Sequence, residues 1–242
     1  RTGPHIRAGR IQLAQGGASM SGSRFFAVLH DIARGDRQVA AGDWQALVGR
    51  YQALWQGPLA LAQFLSPDYL CTYFFTFGLA AENLGQWPRA IHLWEQALAL
   101  KKDRPILYQN LGAAYARQGR LSVAREHLQR ALTLNPDYAE AHFNLGNLHY
   151  STGELDAAEV AFSLARDADP ALAGAWQGLG NVYFSRSAWE RALAAYRRAL
   201  ALDANLAGIA FNMAKVHLQI ASPDSAIAAL ELALITAPDD VE

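Results

Sequence analysis

A period of 34 residues runs through most of this chain and constrains its fold more tightly than any single motif. Gly78, Gly112, Gly146 and Gly180 stand 34 residues apart, and Ala214 falls at the next step. Ala90, Ala124, Ala158, Ala192 and Ala226 form a second column, and Ala97, Ala131, Ala165, Ala199 and Ala233 a third. Large side chains fill further columns: Phe74, Tyr108, His142 and Trp176; Phe77, Leu111, Leu145, Leu179 and Met213; Trp94, Leu128, Phe162, Tyr196 and Leu230. A fixed period of about 20 to 50 residues marks stacked supersecondary units, each too small to bury its own apolar face, in place of one closed core.

The columns also say what each unit is. Glycine and alanine let two helices approach, large residues fill the space between them, and Pro136, Pro170 and Pro238 each end a unit by removing an amide donor. The sequence holds 47 alanines, the best helix formers, while Val, Ile and Thr are sparse and nothing alternates like a strand. An all-α chain is expected. The spacing predicts helices over 71–84, 87–101, 105–118, 121–134, 139–152, 155–168, 173–186, 189–202, 207–220 and 223–236.

This pattern resembles the tetratricopeptide repeat (TPR) family, whose 34-residue unit places a large residue, Leu-Gly, Tyr, Ala, an aromatic, Ala and Pro at fixed offsets. Tyr108, Leu111-Gly112, Tyr115, Ala124, Leu128, Ala131 and Pro136 show it best. Departures are local: Lys102 and Ala204 replace the closing Pro, Ala214 the Gly, and Ala81 the Tyr. The resemblance implies a right-handed α-solenoid of helix-turn-helix repeats, with five regular units at 71–104, 105–138, 139–172, 173–206 and 207–238. Residues 23–70 are expected to supply degenerate N-terminal capping helices rich in aromatics such as Phe25, Trp44 and Trp55. Residues 238–242, PDDVE, repeat the pattern of PDYAE at 136–140, as if a further unit began at 239–242 and the piece belonged to a longer protein.

Residues 1–22 carry Arg1, Arg7 and Arg10 with no acid and run into the linker-like GGASMSGS. They read either as a flexible basic tail or cloning remnant, or as a peptide, Ile6 to Gln15, that lies in a groove of its own chain or of a neighbour.

Several function classes are excluded or disfavoured. Net charge is −1 with 18% charged residues, so no basic footprint exists for nucleic acid or an anionic membrane. The longest nearly apolar stretch, Leu70 to Ala81, falls well short of the roughly 20 residues that span a bilayer. The single cysteine, Cys71, rules out an intrachain disulfide and cysteine-built zinc sites. Phosphate-loop, zinc-protease, nucleophile-elbow and dinucleotide signatures are missing, and Gly178-Leu-Gly180 lies inside a helix. His142, His149 and His217 occupy packing columns. No catalytic residue, metal or cofactor is expected.

The unpacked face of the first helices is more specific. At about 100° per residue, unit positions 2, 5, 6, 9, 12 and 13 fall on the side opposite the packing columns. Few charges lie there. Carboxamides do: Asn83, Gln109, Asn110, Asn144, Asn147, Gln177, Asn181, Asn212 and Gln219, with the aromatics Phe75, Phe143, Tyr150, Phe184 and Phe211. In the family the first helices line the concave surface, so the resemblance implies a groove. A carboxamide donates and accepts, and a row of them suits the backbone of an extended peptide. Asn110, Asn144 and Asn212 share position 6, similar to the asparagine ladder of O-linked N-acetylglucosamine transferase repeat domains, with Thr76 and Gly178 as interruptions. Arg117, Arg186 and Lys215 could meet a peptide carboxylate. The plain alternative is that these amides cap helices or pair locally.

The expected function is a nonenzymatic scaffold that binds a protein or peptide in this groove through Gln109, Asn110, Arg117, Phe143, Asn144, Asn147, Tyr150, Gln177, Asn181, Phe184, Phe211, Asn212 and Lys215. Two alternatives stay open: a substrate-recruiting part of a larger enzyme such as a glycosyltransferase, and a self-associating structural scaffold. A cytoplasmic location is expected, with periplasmic or secreted locations open.

Overall fold

A computed structural model describes residues 67–204, 206 and 208–236. The tail at 1–22, most of the capping segment, and residues 239–242 lie outside the described residues. All regular structure among the described residues is helical: α1 (Pro67–Asn83), α2 (Trp87–Leu100), α3 (Pro105–Arg117), α4 (Leu121–Leu134), α5 (Ala139–Ser151), α6 (Leu155–Ala168), α7 (Ala173–Ser185), α8 (Trp189–Leu202), α9 (Ile209–Gln219) and α10 (Pro223–Thr236). Most termini fall within a residue or two of the spacing argument. The clearest difference is α1, which starts four residues early because Pro67 and the acidic Asp68 make a favourable first turn.

The chain divides into two compact units, Arg1–Ala114 and Tyr115–Glu242. In the first, α1 packs on α2 with Trp94 fully buried against Gly78, and the Trp94 indole N–H donates to the Phe75 carbonyl at 3.3 Å. Cys71 is buried there, and burial pushes its thiol pKa up. In the second unit, α5 pairs with α6, α7 with α8 and α9 with α10, and each hairpin also touches the next.

Glycine columns mark where those helices close. The Phe162 ring of α6 lies against Gly146 of α5 and Gly178 of α7; a Cβ built at Gly146 would sit 2.6 Å from ring carbon Cδ1. Tyr196 of α8 lies likewise on Gly180. One aromatic ring thus serves two hairpins at once, which is why the units cannot be taken apart without opening the core.

The turns between paired helices need one left-handed residue each. Gly85, Gly119 and Gly153 adopt it with φ of 70°, 74° and 77°, but the same column continues as Ser187 and Ala221 at 57° and 54°. Those two side chains accept a strained backbone that glycine adopts without cost.

Charged ties reinforce successive repeats. Arg125 of α4 reaches Glu154 at 3.1 Å, and His149 pairs with the same carboxylate. Arg186 pairs with Asp156 and Glu159, while Arg191 bonds Glu159 at 3.0 Å and Tyr183 Oη at 2.8 Å. The hydrogen bonds from Arg125 and then His149 bring the Glu154 pKa down to about 2 from its usual 4.5. A depressed carboxylate pKa contributes stability that is fully present above the unfolded value and is lost as pH falls through the folded one. Stability is therefore expected to decline between about pH 4.5 and pH 2, and Glu154→Gln should flatten that part of the profile. A carbon-13 titration of the Glu154 carboxyl with a midpoint near 4.5 would contradict this.

Candidate functional site

The second unit presents three first helices, α5, α7 and α9, whose outward positions carry most of the candidate residues. Their placement follows from the glycine and alanine columns: because those faces are consumed by the paired helix, positions 5, 6, 9 and 12 must point away from it. Phe143 is half-buried, its ring lying over Gly174 of α7, where a Cβ would stand 3.0 Å from ring atoms. Its centroid is 6.0 Å from that of Phe162, so Phe143 joins the outward face of α5 to the core. Tyr150 and Phe184 are also half-buried, and the Tyr150 hydroxyl meets Ser185 Oγ at 3.1 Å across α5 and α7. Phe184 makes an edge contact with Trp189 at 5.5 Å. Phe211 is exposed, with Lys215 Nζ 4.3 Å above its ring.

The carboxamides divide into two kinds. Asn181 Oδ1 accepts from the Tyr196 hydroxyl at 2.9 Å and from Asn212 Nδ2 at 3.4 Å, so Asn181 and Asn212 tie α7, α8 and α9 together. Asn144, Asn147 and Gln177 make no side-chain hydrogen bond with any described residue, and all three are at least partly exposed. The row is thus free on α5 and early α7, and committed at the α7–α9 junction. Gly178 interrupts it because Phe162 occupies the space a side chain there would need.

In the first unit, Gln109 and Asn110 are half-buried on α3, and Asn110 Nδ2 is buried with no hydrogen-bond partner among the described residues. Arg117 is exposed at the end of that helix. The outward face of α1 departs from expectation. Phe75 is only 6% exposed and Thr76 is fully buried, its hydroxyl satisfied by donating to Thr72 O at 2.9 Å. Asn83 likewise donates to Leu79 O at 2.9 Å. Arg186 is already held by Asp156 and Glu159.

Among the described residues no cluster of His, Cys, Asp or Glu could hold a metal, and no helix is long and apolar enough to cross a membrane.

Comparison with known proteins agrees. A family model described as TPR repeat matches residues 83–119, 114–153 and 180–220, and a second, described as tetratricopeptide repeat, matches 139–172. The chain belongs to the tetratricopeptide repeat family. Its repeats form the α-solenoid that the period implied, and proteins built this way generally mediate protein–protein interactions. No curated protein matches the sequence.

Solved structures of similar fold include the MamA protein, 22% identical over 72% of this chain and 94% of that one, with a TM-score of 0.57. PilF of Pseudomonas aeruginosa is 18% identical over 71% and 78% with a TM-score of 0.65. YrrB, described as a TPR protein with an unusual peptide-binding site, is 17% identical over 69% and 86% with a TM-score of 0.53. At these identities the likeness is one of fold.

Proposed function

We propose that this TPR protein is a scaffold that binds an extended peptide or partner segment along α5 and α7. The observation that carries it is the set of unbonded carboxamides, Asn144, Asn147 and Gln177, on the faces that also carry Phe143, Tyr150 and Phe184. Amides that fold the protein are bonded within it, as Asn181 and Asn212 are. Unbonded ones serve a ligand's backbone N–H and C=O groups, and the neighbouring rings supply apolar contact. The peptide-binding site named for YrrB supports this use of the fold. The asparagine row similar to that of the glycosyltransferase repeats narrows in this unit to Asn144, since Asn212 is engaged by Asn181. The mechanism is recognition, with no catalytic step.

The test is a peptide selected from a displayed library against the whole protein. Asn144→Ala with Gln177→Ala is expected to weaken it by about 1 to 3 kcal/mol, roughly 5- to 150-fold, at about 0.5 to 1.5 kcal/mol per hydrogen bond, with the melting temperature unchanged. Unaltered affinity in the double variant would reject the site.

A further inference from the structure

The outward face of α6 differs from those of the helices beside it. Arg125 of α4 reaches Glu154 just ahead of α6, and Glu159 of α6 meets Arg191 of α8, so the three second helices stand side by side. Val160 and Leu164, one turn apart on α6, are 61% and 45% exposed, while Ala158, Phe162 and Ala165 of the same helix are buried. At the two exposed columns α4 carries Glu126 and Arg130, and α8 carries Ala194 and Arg198, all exposed. A lone aliphatic on a surface needs no explanation, but a pair on one helix face, where the next helices place charges, does.

The charges around this pair fall into two groups. Those of α6 are paired within the unit: Asp156 with Arg186, Glu159 with Arg186 and Arg191, and Arg166 with Asp167 at 2.8 Å. Arg130, Arg197 and Arg198, level with Leu164 on α4 and α8, are exposed and have no ion-pair partner among the described residues. The acids of those two helices, Glu126 and Glu190, lie a turn or more nearer the N-terminus. Unpaired guanidinium groups thus border the aliphatic pair on both sides. A phosphate or a nucleic-acid backbone would answer the arginines and leave Val160 and Leu164 in water. A polypeptide segment with carboxylates on either side of an aliphatic residue satisfies both.

We propose that the outward face of α6, with Arg130 and Arg198 at its edges, docks an acidic segment of a partner protein through an aliphatic side chain set between carboxylates. This surface belongs to second helices and is independent of the carboxamides on α5 and α7.

The experiment is selection of a displayed random-peptide library on the whole protein at low salt, with depletion against Val160→Glu, Leu164→Arg. That variant gives α6 the residues α4 carries in the same columns, so its helical spectrum should match the parent's. Recovered peptides are expected to combine Asp or Glu with Leu, Ile or Val. Arg130→Glu with Arg198→Glu should weaken them by about 10-fold or more, and added salt should weaken them too. Asn144→Ala with Gln177→Ala should leave their affinity unaltered. Recovery of no discriminating peptide, peptides without acids, or affinity insensitive to the arginine reversals would overturn the proposal. So would self-association in light scattering that the α6 variant abolishes, since the face would then belong to a second copy.

Discussion

Phe162→Ala is expected to lower the free energy of unfolding by about 3 to 5 kcal/mol, the range for emptying a fully buried aromatic site. The ring is 1% exposed and sits against Gly146 on one helix and Gly178 on another, with Phe143 behind it. None of those neighbours can fill the void: two have no side chain, and the third is braced against Gly174. The loss should be measured by urea unfolding followed by circular dichroism, with hydrogen exchange showing α5 to α8 affected together. A cost below about 1 kcal/mol would mean that the hairpins close without the ring.

Gly178→Asn is expected to destabilise by about 1 to 3 kcal/mol, although sequence logic alone recommends it. Asparagine there would fill the gap in the column between Asn144 and Asn212. A Cβ at this position, however, lies 2.5 Å from Phe162 Cε1, and the ring is pinned by Gly146 opposite, so helix or ring must move. Combining Gly178→Asn with Phe162→Leu should recover part of the loss, because the two sites share one space and their effects are not additive. Equal stability of Gly178→Asn and the parent in urea would refute the steric account.

These two positions show what the sequence could and could not disclose. Helix number, pairing and seam residues follow from period and residue size, because small-on-large packing leaves a mark at every 34th position. The left-handed turn column was harder to see: Gly85, Gly119 and Gly153 announce it, but Ser187 and Ala221 fill the same backbone need with ordinary side chains. Outward positions of the candidate groove were readable from helical phase. Which amides are free was not, since that depends on Tyr196 reaching across from a paired helix to Asn181, and a hydroxyl in a packing column gives no sign of its direction. The burial of Thr76 was hidden for a related reason, a hydroxyl satisfied within its own helix.

The junction of Asn181, Asn212 and Tyr196 has a consequence for any segment laid along these helices. Binding to a loose surface surrenders the freedom of side chains and of elements that must be brought to a common spacing. Here the spacing between α7 and α9 is fixed by hydrogen bonds already made during folding. That part of the entropy is spent before a partner arrives. In the proposed mode of binding, the face of α7 and α9 acts as a preset gauge: a segment whose contacts match its pitch gains their full value, and one that does not cannot reshape it.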